Sequence, residues 1–316
     1  MRHGDEIAAG ERFDFGANWT RFLKDIDDER IREAEQSLRK MLDLKSLAGM
    51  SFIDVGCGSG LFSLAARRLG ARVHSFDYDP KSVACVRELQ QRYFPQDTGW
   101  KIEEASVLDP GYLAGLGQFD VVYSWGVLHH TGHMWLALTN VILLVKSGGL
   151  LFVAIYNDQG TASRRWTMVK RSYNRLPVGF RFLVLWPAFW HFWWRRLLKD
   201  LLFGRPFHSW REYIQTRGMS PWWDVVDWVG GYPFEVAKPE EIFDFFRKSG
   251  FQLERLHTEA GSIGCNEFVF RLTGQPKEKV VDPDEFPEIS IRSLPLAGKA
   301  DRPRADKPLK ISLAVY

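Results

Sequence analysis

The chain has 316 residues, an apolar fraction of 45% and three cysteines. That suffices for the core of one large or two modest globular domains. The odd cysteines (Cys57, Cys85 and Cys265), without CxxC spacing, argue against a disulfide framework and a zinc site. The net charge of +3 is uneven: residues 160–237 carry twelve Lys or Arg against five Asp or Glu, together with nine of the thirteen tryptophans.

Residues 1–10 are polar and hold no apolar core of a signal peptide, so a cytoplasmic location is expected. The stretch 13–19, with Phe13, Phe15 and Trp19, is too aromatic for a linker and too glycine-interrupted for a helix. It predicts a lid strand whose rings face a cation, or a staple holding the first helix to the core. Ile31, Ala34, Leu38, Met41 and Leu42 fall at helical spacing within 28–47. A short apolar strand at 51–55 runs into a glycine loop and a helix at 61–69; strand 72–76 ends at Asp77 before a helix at 80–93. Strands at 99–104, 119–124 and 149–156 and a helix at 135–145 continue the alternation. It stops for about eighty residues and resumes with a helix at 240–249 and strands at 252–258 and 266–272.

Strands alternating with helices predict an α/β fold with a parallel sheet covered on both faces. The expected layout is an N-terminal lid and helix (1–50), a ligand-binding core (51–158), a helical cap insertion (159–237), the rest of the core sheet (238–274) and a disordered tail (275–316), whose composition lacks periodicity.

The sharpest motif is DVGCGSG (54–60), between a strand and a helix, with Asp77 ending the next strand. Glycines let the backbone turn tightly and approach a ligand, and the helix beyond offers free N–H groups. Asp77 stands where a ribose-binding acid is expected. A nicotinamide site is the natural rival, but G-x-G-x-x-G read from Gly56 or Gly58 places Leu61 or Ser63 at the third glycine.

With HSFDYD (74–79), EASVLD (104–109) and FDVVYSWGVLHH (119–130), the loop makes four pieces in order. They resemble the class I S-adenosylmethionine-dependent methyltransferases, and more narrowly the group containing the ubiquinone-pathway O-methyltransferases. The resemblance spans roughly 13–158 and 238–272. It implies a Rossmann-like seven-stranded sheet with the Trp-rich helical insertion after the fifth strand, and S-adenosylmethionine (SAM) as cofactor. It further implies that Asp54, Gly56, Gly58 and Gly60 hold the methionine end, Asp77 the ribose, and Ser106 with Val107 the adenine edge. Cys57 is expected to line the site, with Phe15 and Trp19 over the sulfonium.

Methyl transfer is an in-line displacement requiring an aligned acceptor, exclusion of water and often a base. Ligands in such sheets bind beyond the carboxyl ends of the strands, where the loop after the fourth strand carries His129, His130 and His133. His129 or His130 is the candidate base, although a packed, hydrogen-bonded histidine is the plain alternative. Tyr156, Asn157 and Asp158 are the candidates for acceptor contacts. The expected reaction is O-methylation of a small or lipid-linked acceptor such as a phenol, isoprenoid or saccharide. An RNA methyltransferase is the alternative carried by the basic insertion, and a silent SAM-binding adaptor is the third reading. Residues 182–194 lack a formal charge and are flanked by Arg171, Arg175, Arg181, Arg195, Arg196 and Lys199. That pattern suits peripheral membrane contact as well as the core of a helical cap.

Overall fold

The computed structural model describes residues 3–217, 220–259, 261 and 263–274. The tail expected at 275–316 lies outside them. Among the described residues seven strands form one sheet: β1 (Ser51–Val55), β2 (Arg72–Asp77), β3 (Trp100–Glu104), β4 (Phe119–Trp125), β5 (Val145–Tyr156), β6 (Phe251–His257) and β7 (Cys265–Leu272). Their order is β3-β2-β1-β4-β5-β7-β6. β1 to β5 pair in parallel, whereas β7 runs antiparallel between β5 and β6. The expected α/β architecture is therefore present, with a mixed rather than wholly parallel sheet.

The central strands are short apolar runs because both faces are covered. Neighbouring residues serve opposite faces: Phe52, Val121 and Phe152 pack under helices Asp28–Leu42, Leu61–Arg68 and Pro80–Tyr93, while Ile53, Val122 and Leu151 pack under Met134–Ile142 and Pro239–Lys248. The helix expected at 28–47 stops at Leu42, where Asp43 takes a left-handed conformation (φ 54°) that Asp tolerates better than most residues.

Residues 13–19 depart from expectation. No lid strand forms; Phe15–Phe22 is an α-helix whose N-cap, Asp14, accepts from the Ala17 amide at 3.2 Å. Gly16 does not interrupt it. Its amide donates to Asp79 Oδ2 at 2.8 Å, and a Cβ there would collide with that carboxylate and with Lys81. The glycine thus serves a close approach to a neighbour 63 residues away in the chain.

After β5 come the helices Thr161–Arg175, Phe182–Leu202, His208–Arg217 and Pro221–Gly230. They enclose a third apolar cluster, with Tyr173, Leu185, Phe189, Trp193, Val225 and Trp228 joined by Phe13 from the N-terminal segment. Phe182–Leu202 runs through Pro187, and among the described residues no helix is long and apolar enough to cross a membrane.

Candidate active site

A cavity of about 800 Å³ opens at the carboxyl ends of β1, β2, β4 and β5, between the N-terminal helices and Pro221–Gly230. One side is the glycine loop. Gly56, Gly58 and Gly60 all have positive φ, at 78°, 51° and 84°, and a Cβ on Gly58 would lie 3.2 Å from the Trp19 indole. Only glycine meets both demands there. Gly60 does not line the cavity; it starts helix Leu61–Arg68 in a left-handed conformation.

Two carboxylates mark this half. Asp77 accepts from the Gly58 and Asp79 amides, each at 2.9 Å, yet burial outweighs them and raises it to about 6. Asp54 accepts from the Ser63 hydroxyl and is raised by burial to about 7. Burial likewise pushes the Cys57 thiol well up, keeping it protonated. Ser106 and Val107 line the same cavity; the Ser106 hydroxyl accepts from the Leu108 amide at 3.1 Å, and the Val107 carbonyl accepts from Asn140 Nδ2 at 2.8 Å. This donor set fits SAM. Its cationic sulfonium and ammonium restore charge to two buried carboxyls that are costly to ionise alone, and Asp77 can accept from the ribose hydroxyls.

Phe15 and Trp19 both line the cavity and both pack, Phe15 on the third apolar cluster and Trp19 on the first. The staple expected for them is therefore seen as packing, and their rings border the cavity from a helix rather than from a lid strand. The Phe15 ring lies 4.9 Å from that of His130.

The histidines separate. His130 lines the cavity, donates from Nδ1 to the Pro233 carbonyl at 2.6 Å, and is lowered by burial to about 3, so its imidazole is neutral. His129 is fully buried behind it and does not line the cavity; its Nδ1 accepts from the Tyr156 amide at 3.3 Å, and burial holds it neutral. Tyr156 lines the cavity, but Asn157 and Asp158 do not. Asn157 bridges to Ala237 and accepts from Asn266 at 3.1 Å, and Asp158 closes the turn into Thr161–Arg175 by accepting from the Gly160 amide at 2.8 Å. The Asn157 side chain is thus held by Asn266 of β7, and that of Asp158 by the backbone of the following turn.

Sequence reasoning missed the opposite wall: Asp224, Asp227, Trp228 and Tyr232, with Arg12 and Asn18 from the N-terminal segment. A signal was present in PWWDVVDWVG, where two Asp three residues apart in an apolar helix share one face. Arg12 gave none; its Nη1 donates to the His130 carbonyl at 2.9 Å and its Nε pairs with Glu6 at 2.5 Å. Behind this wall Lys170, fully buried, donates to the Trp228 carbonyl and lies 4.0 Å from the centre of that indole.

Residues 26–225 match a family described as a methyltransferase domain. The chain is similar to the ubiquinone biosynthesis O-methyltransferase of Rhizobium johnstonii, at 27% identity over 128 residues, 40% of this chain and 50% of that protein. It is similar to the Pelagibacter ubique enzyme of the same name at 24% over 238 residues, 74% of this chain and 76% of that one. The match spans about half the length of several of these curated relatives. Among solved structures, magnesium protoporphyrin IX methyltransferase from Synechocystis PCC 6803 with bound SAH aligns with a TM-score of 0.49 at 13% identity, covering 85% of this chain and 100% of that one. The chain belongs to the methyltransferase-domain family, as a class I SAM-dependent methyltransferase domain related to the ubiquinone O-methyltransferases.

Proposed function

We propose that the protein transfers the methyl group of SAM to an oxygen of a small or lipid-linked acceptor, a phenol, isoprenoid or saccharide. One observation carries this: a single cavity joins the glycine loop and Asp77 to a wall of His130, Tyr156, Asp224, Asp227 and Trp228. In this reading 51–158 and 238–274 form the cofactor-binding core, and 159–237 is a cap that closes the acceptor side. Asp54, Gly56, Gly58, Cys57, Asp77, Ser106 and Val107 hold the cofactor, with Trp19 and Phe15 over it, and Gly60 shapes the loop by starting helix Leu61–Arg68. His130 and Tyr156 contact the acceptor.

Support for a lipid-linked acceptor comes from the outer face of Phe182–Leu202. Phe182, Trp186, Trp190, Trp194, Leu198 and Leu202 are exposed at four-residue spacing, and Arg195 and Lys199 are exposed beside them. Aromatic bulk beside cations suits peripheral contact with anionic headgroups. The test is incubation with methyl-labelled SAM and separated lipid, small-molecule, RNA and protein fractions of the source cells. Label in the lipid or small-molecule fraction is expected. Label confined to RNA overturns the reading in favour of the basic segment as an RNA surface, and cofactor binding without transfer to any fraction leaves an adaptor.

A further inference from the structure

Helix Pro221–Gly230 presents Asp224 and Asp227 three residues apart, and both line the cavity. Asn18 Nδ2 donates to Asp227 Oδ1. The next residue, Trp19, lies against Gly58 of the glycine loop, 3.2 Å from where a side chain would begin. Two adjacent residues of one helix therefore link the glycine loop to the Asp227 carboxylate, on two walls of the same cavity.

We infer that Asp227 is the catalytic base, taking the proton of the acceptor hydroxyl during methyl transfer, with Asn18 as the positioning residue that fixes its carboxylate. The inference rests on the O-methyl transfer proposed above. In the step, the acceptor O–H bond breaks and its proton passes to an Asp227 oxygen. An oxygen lone pair forms the new O–CH3 bond. The S–CH3 bond breaks with its electron pair kept by sulfur, so the sulfonium leaves as a neutral thioether and the charges of carboxylate and cation are consumed together.

The other groups on this wall are less suited. His130 has its Nδ1–H committed to the Pro233 carbonyl, and burial leaves the ring little tendency to take a second proton. The Tyr156 hydroxyl is held protonated by burial, and Asp224 accepts from the Tyr213 hydroxyl. Asp227 is half-buried on the cavity wall, where burial and Asp224 raise it well above an ordinary carboxylate while Arg21 and Lys170 favour the ionised form that can take the acceptor's proton. The charged groups bearing on it are Asp224 on its own helix, Arg21 from the N-terminal helix and Lys170 from Thr161–Arg175.

Asp227→Asn tests this while leaving Asn18 an oxygen to donate to. The assay is transfer of labelled methyl from SAM to a chloroform–methanol extract of the source cells, followed against pH. The variant is expected to lose ~10²- to 10⁴-fold in rate and to lose the limb along which the wild-type rate falls at low pH. Its affinity for S-adenosylhomocysteine and its melting midpoint should match wild type. Asn18→Ala removes the positioning contact but keeps the base, so it should cost less and retain the limb. A rate within about threefold of wild type with the limb intact overturns the assignment. If Asp227→Asn does not fold, Asp227→Glu decides: a displaced acid limb supports the base, and an unmoved one overturns it. Absence of transfer by the wild type to this or any other fraction overturns the function itself, and the base with it.

Discussion

The two halves of the cavity are built differently. On the cofactor side, backbone amides and two carboxylates stand at the ends of adjacent parallel strands, and their positions follow from the sheet. On the acceptor side, side chains project from helices that pack on one another through an aromatic cluster of their own. The first half is set by local rules such as glycine geometry and strand ends. The second depends on which face of each helix is turned inward, and that is decided by partners far along the chain. The strand ends are set by the sheet, whereas the helical wall is free to vary with the side chains its helices turn inward.

The largest effect that sharpens this contrast lies within Phe182–Leu202, whose two faces should respond oppositely. Trp193 is 2% exposed, and Trp193→Ala should cost about 3–5 kcal/mol of stability. Trp190 is 61% exposed, and Trp190→Ala should stay within about 0.5 kcal/mol. Chemical denaturation of both variants checks this, and equal losses would mean that the helix buries another face. Next comes Asp77→Ala. Losing a buried, charge-assisted acceptor should weaken S-adenosylhomocysteine binding by roughly 10- to 100-fold by calorimetry, with little effect on the helical wall.

The pH dependence is smaller and has a defined sign. Asp54 and Asp77 stand at about 7 and about 6, above their ordinary value of 3.8. A bound cation favours their ionised forms, so SAM binding releases protons there. Affinity should fall as pH drops through 7 and 6, by at most about tenfold per pH unit for each carboxyl. Without ligand the folded chain holds these protons longer than the unfolded one. Stability from these groups is therefore fully present below about pH 4 and is lost as pH rises through 6 and 7. Melting midpoints across pH, with and without saturating SAM, should show that slope only in the unliganded protein. The smallest expected effect is on vesicle cosedimentation. Association with anionic vesicles should decline with salt and decline a few-fold further in Trp186→Ala and Trp190→Ala; no association at low salt would remove the support for a lipid-linked acceptor.

What the sequence announced follows the same division. The seven strands, the glycine loop and Asp77 were legible because each is written within a few residues: an apolar run, a glycine spacing, an acid at a strand end. Residues 13–19 were not, because the reason for Gly16 is Asp79, and no local pattern announces that contact. The histidine pair was legible only as a pair. Which ring faces the cavity depends on the Tyr156 amide donating to His129 and the Pro233 carbonyl accepting from His130. Asn157 and Asp158 were read as acceptor contacts from their place at the end of β5, but Asn157 accepts from Asn266 of β7 and Asp158 from the Gly160 amide of the following turn.

The bond between Asn18 and Asp227 joins residues 209 positions apart. During synthesis at about 5–20 residues per second, some 10–40 s separate the appearance of the two. Throughout that interval helix Phe15–Phe22 lacks its partner on Pro221–Gly230, and the helices that will enclose Trp193 and Trp228 are still arriving. The pocket is thus among the last parts of the nascent chain to be finished, well after β1 to β4 are available to pair. A ribosome stalled before residue 227 would hold a chain in which β1 to β5 are synthesised but Asp227, β6 and β7 are still to come.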